Sequence, residues 1–195
     1  MQTISNSSEN LKRFHYNELL IIKQHIPDAI TSLRLIVLPH LVYSFNHQIT
    51  LSVYALFLFS IGTDLADGYV ARKIKSTSKT GTYLDISIDF LFISGMYLTF
   101  IANGIYSPLI LLIIFFVFAQ FIISNVILKK TVYDPIGKYY GSLLFAGIGL
   151  TLLFSNQMIY DFVTYGIVVV TLISLTSRIT YFLHKKIKKS KIDQM

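Results

Sequence analysis

Thr63–Asp89 reads TDLADGYVARKIKSTSKTGTYLDISID. Its four aspartates, Asp64, Asp67, Asp85 and Asp89, come from a chain with only ten acidic residues. Both flanks are apolar: Ile49–Ala66 runs into the first pair and Ile86–Gly104 runs out of the second. Carboxylates at membrane depth are costly, so the concentration needs a cause. Asp64 and Asp67 are spaced i,i+3, and Asp85 and Asp89 i,i+4, so on helices each pair shares one face. The link Lys73–Thr80 is short enough to make the two helices antiparallel neighbours. The two pairs can then oppose each other across one cleft.

Four ionised carboxylates in one place repel unless something compensates them. Protons could neutralise some, Arg72 and nearby lysines could pair with them, or divalent cations could sit between them. An all-oxygen donor set suits Mg²⁺, Mn²⁺ or Ca²⁺. Aspartate is shorter than glutamate, which leaves room for two ions. Gly68 follows Asp67, Ala71 lies four residues beyond it, and Gly81 lies four before Asp85. These small residues leave space beside the carboxylates for a bulky ligand. Arg72 adds a planar, permanently charged fork suited to phosphate. Together they suggest a pyrophosphate held through metal ions.

Beyond this stretch, the 195-residue chain is 53% hydrophobic and only 14% charged. Soluble domains carry about 25% charged residues. The arithmetic excludes an ordinary soluble globule and a disordered chain. Absence of cysteine excludes a disulfide scaffold, thiolate metal sites and cysteine nucleophiles. Six apolar stretches are present: Ala29–Phe45, Ile49–Ala66, Ile86–Gly104, Pro108–Leu128, Tyr139–Phe154 and Ile159–Leu183. A bilayer core needs about 17–25 helical residues. Long continuous runs favour helices over a barrel. The predicted fold is an all-α integral membrane protein with six transmembrane helices. Ahead of them, Leu11–His25 mixes Lys12, Arg13, Glu18 and Lys23 with apolar residues and reads as an amphipathic interfacial helix broken by Pro27. The polar start MQTISNSSEN is not a cleavable signal peptide.

Charge gives the orientation. The links near Asn46–Gln48, Gly104–Ser107 and Ser155–Tyr160 hold no Lys or Arg, whereas the opposite side collects the basic clusters. By the positive-inside rule, both termini and the aspartates face the cytoplasm of a cell-membrane protein. The expected organisation is 1–27 as polar start and interfacial helix, 28–184 as the six-helix domain, and 185–195 as a basic tail. The tail, within HKKIKKSKI, is expected to rest on anionic lipid and not on nucleic acid.

The aspartate stretch spells D-x2-D-G-x2-A-R-x8-G-x3-D-x3-D. Eight fixed residues at fixed spacing would arise by chance at a given start with probability on the order of 10⁻⁹ from average residue usage. The pattern resembles the motif of the CDP-alcohol phosphotransferase family. Ile26–Arg34, IPDAITSLR, resembles that family's entry to helix one, I-P-N-x-x-T-x-x-R, with Asp28 in place of the usual asparagine. The resemblance implies that Asp64, Asp67, Asp85 and Asp89 hold two divalent cations, Mg²⁺ or Mn²⁺. It implies that Asp67, Gly68, Ala71, Arg72 and Gly81 bind the CDP group, and that Asp89 is the general base. It further implies a homodimer and a reaction in which a small alcohol displaces CMP from a CDP-linked lipid.

For the acceptor, the residue after Asp89 is Phe90, an apolar follow-on more like serine-type relatives than glycerophosphate or inositol-phosphate types. Lys138 in DPIGKYYG and Arg178 are cations able to meet an acceptor phosphate. Thr31 and Arg34 are candidates for substrate positioning, Arg34 also as a structural partner within the bundle. The expected acceptor is glycerol 3-phosphate, with inositol phosphate and serine as alternatives. CDP-diacylglycerol and CDP-archaeol both fit as donors. A reading of another class, a cation or proton transporter using the aspartates, calls for carboxylates strung along a path through several helices. Gly137, Gly141, Gly147 and Gly149 are expected to serve close packing inside the bundle. His25, His40, His47 and His184 show no ligand spacing.

Overall fold

A computed structural model describes residues 29–74, 79–127 and 137–192. These residues form helices: α1 (29–46), α2 (Thr50–Ile74), α3 (Lys79–Ala102), α4 (Pro108–Ile127), α5 (Gly137–Leu153) and α6 (Gln157–Ile192). Each apolar stretch of the sequence falls largely on one of them. The expected interfacial helix over Leu11–His25 falls outside the described residues.

Local chemistry sets the helix ends. After α1, Gln48 turns to a left-handed φ of 58°. Its amide donates to the Phe45 carbonyl, and the Ile49 amide reaches back to Ser44. Gly104, at φ 73°, does the same after α3, with the Ile105 amide donating to Phe100. Each turn closes orphan carbonyls of the preceding helix. Pro108 opens α4, where it needs no amide partner. Asn156 caps α6, its Oδ1 accepting from the Met158 amide at 3.1 Å. α6 continues to Ile192, through much of the segment read as a separate basic tail. That segment contains neither proline nor glycine, and lysine is a good helix former.

Two of the helices, over Leu84–Ala102 and Gln157–Ser177, are long and apolar enough to cross a membrane among the described residues. Thr50–Ala66, Pro108–Gln120 and Tyr139–Leu153 are shorter apolar helices. Only 22% of the α6 span is buried, unlike the core helix of a soluble domain. Leu51, Met158, Phe162 and Tyr165 are among many large apolar residues left exposed. An apolar exterior of this extent fits lipid contact.

Backbone contacts divide the chain into two compact units, Met1–Phe92 and Ile93–Met195. In the first, the buried face of α1 carries Thr31, Arg34, Val37, Leu41 and Ser44. The buried face of α2 carries Val53, Phe57 and Ser60. Ser44 and Ser52 hydroxyls meet at 3.0 Å and tie α1 to α2.

The second unit packs α5 and α4 against α6. Its interior is aromatic: Tyr97 lies edge-on to Phe100 at 6.0 Å, and Tyr106 contacts Tyr97, Phe100 and Tyr160. Every hydroxyl of this group that is fully enclosed has a partner. The Tyr97 hydroxyl donates to the Leu144 carbonyl at 3.3 Å. Tyr106 pairs with Thr151 at 2.6 Å, and Tyr140 with Thr171 at 2.9 Å. Burial pushes the Tyr106 phenol above its ordinary pKa, and the bond with Thr151 offsets part of that. Gly147 fits under this layer, because a Cβ there would meet the Tyr97 hydroxyl at 2.6 Å and Val163 at 3.1 Å. Gly141 instead faces open space. The packing role read from the sequence therefore holds at Gly147 and not at Gly141.

Candidate active site

Asp64 lies at the end of the buried stripe of α2 that runs through Val53, Phe57 and Ser60. Asp85 and Asp89 lie one turn apart on α3, with Ile88 and Phe92 buried beside them. From α1, Arg34 extends its guanidinium to all three. Nη1 donates to Asp89 Oδ1 and to Asp64 Oδ1, the latter at 3.0 Å. Nη2 donates to Asp85 Oδ1 at 3.2 Å. One side chain thus gathers carboxylates from both helices of the motif.

Exposure is unequal. The Arg34 side chain is 1% exposed, while those of Asp64, Asp85 and Asp89 are 52%, 46% and 35% exposed. The positive charge lies deep and the negative charges reach solvent. A buried guanidinium is tolerable only with carboxylate partners, and the clustered carboxylates are eased by it in turn. Of the three ways to compensate the aspartates, pairing with an arginine is seen here, and the arginine is Arg34 of α1. Thr31, one turn before Arg34, is buried on the same face of α1.

The side chains of Asp67, Gly68, Ala71, Arg72, Gly81, Lys138 and Arg178 lie outside those described. Among the described residues, no group of three or more His, Asp or Glu is spaced to hold a metal ion as it stands. The donor chemistry nevertheless fits a hard divalent cation, being all carboxylate oxygen, partly exposed and drawn to one point. The present spacing is that of carboxylates arranged around a guanidinium.

Arg34 is the residue whose part the sequence understated. Its signal was present: an arginine on the same face as Thr31, Val37, Leu41 and Ser44 must be buried, and a buried arginine needs acids. Its partners lie 51 and 55 residues away at Asp85 and Asp89, beyond the reach of any local pattern.

Comparison with known proteins finds relatives of the chain. The family model described as CDP-alcohol phosphatidyltransferase matches residues 24–177. A CDP-diacylglycerol–glycerol-3-phosphate 3-phosphatidyltransferase of Aquifex aeolicus is 30% identical over 131 residues, covering 66% of this chain and 74% of the relative. One of the same name from Pseudomonas fluorescens is 33% identical over 76 residues, covering 36% of this chain and 37% of the relative. A Schizosaccharomyces pombe cardiolipin synthase (CMP-forming)/mitochondrial hydrolase fusion protein is 34% identical over 83 residues, covering 43% of this chain and 13% of the relative. No solved structure matches.

Proposed function

The chain belongs to the CDP-alcohol phosphatidyltransferase family, and from that premise we propose that it transfers a phosphatidyl-type group from a CDP-linked lipid to glycerol 3-phosphate, releasing CMP. The donor is CDP-diacylglycerol or its archaeal ether counterpart. The observation that carries this reading is the gathering of Asp64, Asp85 and Asp89 from two helices at one partly exposed point. The glycerol 3-phosphate acceptor is supported by the names of two relatives. Phe90 speaks for serine as the second reading. The cation-transporter alternative finds no support, because these carboxylates converge and do not trace a path.

In the proposed reaction, the acceptor hydroxyl oxygen attacks the phosphorus that bears the lipid. A new O–P bond forms, the P–O bond to CMP breaks, and Asp89 takes the hydroxyl proton. Asp64, Asp67, Asp85 and Asp89 are the proposed ligands of two divalent cations, Mg²⁺ or Mn²⁺. When bound, the cations neutralise the diphosphate and the charge that builds on departing CMP. Gly68, Ala71 and Gly81 leave room for the CDP group, and Arg72 meets its phosphates. Lys138 and Arg178 meet the acceptor phosphate, while Thr31 and Arg34 help position the substrate, Arg34 through the aspartates that it holds. Holding the reactants in place carries much of the rate. The proposed assembly is a homodimer of six-span subunits, with both termini and the site on the cytoplasmic side.

The test supplies purified protein in detergent with CDP-diacylglycerol, Mn²⁺ or Mg²⁺, and one acceptor at a time. Mass spectrometry then identifies the lipid formed. Phosphatidylation of glycerol 3-phosphate is expected. Product with serine or inositol phosphate alone would move the acceptor assignment, and no CMP with any acceptor would end the reading.

A further inference from the structure

We propose that Arg34 is a tethered counter-ion that holds the acidic face together in the ion-free protein and competes with divalent cations for it. The inference rests on the divalent-ion reading above and adds a regulator to that site. Two observations carry it. Nη1 bridges Asp89 Oδ1 and Asp64 Oδ1, while Nη2 holds Asp85 Oδ1. The Arg34 side chain is enclosed, whereas all three carboxylates reach solvent.

Without a cation, Asp64, Asp85 and Asp89 would push α2 and α3 apart, and the guanidinium prevents that. A divalent ion taken up by the same carboxylates comes within a few Å of this fixed positive charge. Each then repels the other, so Nη1 gives up Asp64 or Asp89 as the ion enters. Arg34 thereby exchanges ion affinity for ion-free stability. Removing a unit charge a few Å from a divalent ion changes its binding by about tenfold or more, even at the effective dielectric of a protein surface.

The test measures Mn²⁺ binding by electron paramagnetic resonance, and melting with and without Mn²⁺, for the full chain and for Arg34→Gln and Arg34→Lys. Arg34→Gln is expected to bind Mn²⁺ about tenfold tighter or more. It should melt lower than wild type without the ion and gain more from Mn²⁺. Arg34→Lys keeps the charge and should stay near wild-type affinity. Equal or weaker binding by Arg34→Gln would overturn the counter-ion role while leaving the metal reading intact. If wild type binds no Mn²⁺, the metal reading fails and this inference with it. Should Arg34→Gln not fold, a structure of Mn²⁺-loaded wild type decides. Release of Asp64 or Asp89 by Nη1 supports the role, and all three contacts kept beside the ion overturns it.

Discussion

The two units bury polar groups alike but for one. Among the described residues of Ile93–Met195 the enclosed polar groups are neutral hydroxyls, and several find partners on their own helix. Thr99, Thr151 and Thr171 each donate to the carbonyl four residues back, at 2.7–2.8 Å. Met1–Phe92 encloses hydroxyls of the same kind, Ser60 donating to the Leu56 carbonyl at 3.0 Å and Thr63 to the Ser60 carbonyl at 2.8 Å, but among its described residues it also encloses a charge, Arg34. No carbonyl of its own turn can compensate Arg34, so it draws acids from two other helices. A hydroxyl therefore suits packing almost anywhere on a helix, whereas a buried charge fixes three helices to one point. The first arrangement builds a scaffold and the second builds a site.

Substitutions put this contrast to the test. Asp89→Asn should show the largest effect, a fall in CMP release of about 10²–10⁴-fold, the range for loss of a general base. A rate near wild type would remove Asp89 from the chemistry. Next, Arg34→Leu should lower unfolding stability by about 3 kcal/mol, the low end for breaking a buried pair, since solvent reaches the carboxylates. Denaturant titration of the ion-free protein reads this directly. In the second unit, Gly147→Ala should cost about 1–3 kcal/mol, because the new methyl group must displace the hydrogen-bonded Tyr97 ring. Gly141→Ala, facing open space, is the control and should be close to neutral. Smallest is Tyr106→Phe, expected to cost about 0.5–1.5 kcal/mol, since Thr151 keeps its bond to the Gly147 carbonyl. A Tyr106→Phe loss as large as that at Arg34 would erase the distinction between the units.

The same contrast explains what could be read in advance. Helices were legible because long apolar runs report on one stretch of chain at a time, and each of the six runs falls largely on one helix. Gln48 as a helix stop was not legible, because a left-handed glutamine has no compositional signature. The extent of α6 was not legible from hydropathy, because its last turns are lysine-rich and helical without being apolar. Gly141 and Gly147 look alike in sequence and differ only in what the fold sets against them. The aspartates announced a site by their spacing, but the identity of their partner depended on contacts across more than fifty residues.

The central claim is that the acidic face of α2 and α3 serves cytidine-nucleotide lipid chemistry through divalent ions. Its most direct measurement is CMP release from CDP-diacylglycerol in the presence of glycerol 3-phosphate, followed as Mn²⁺ is added to chelator-treated wild type and Asp85→Asn. Wild type should be silent without the ion and recover as it is added, while Asp85→Asn should need far more ion or fail to recover. Ion-independent CMP release, or identical Mn²⁺ curves for the two proteins, would contradict the account.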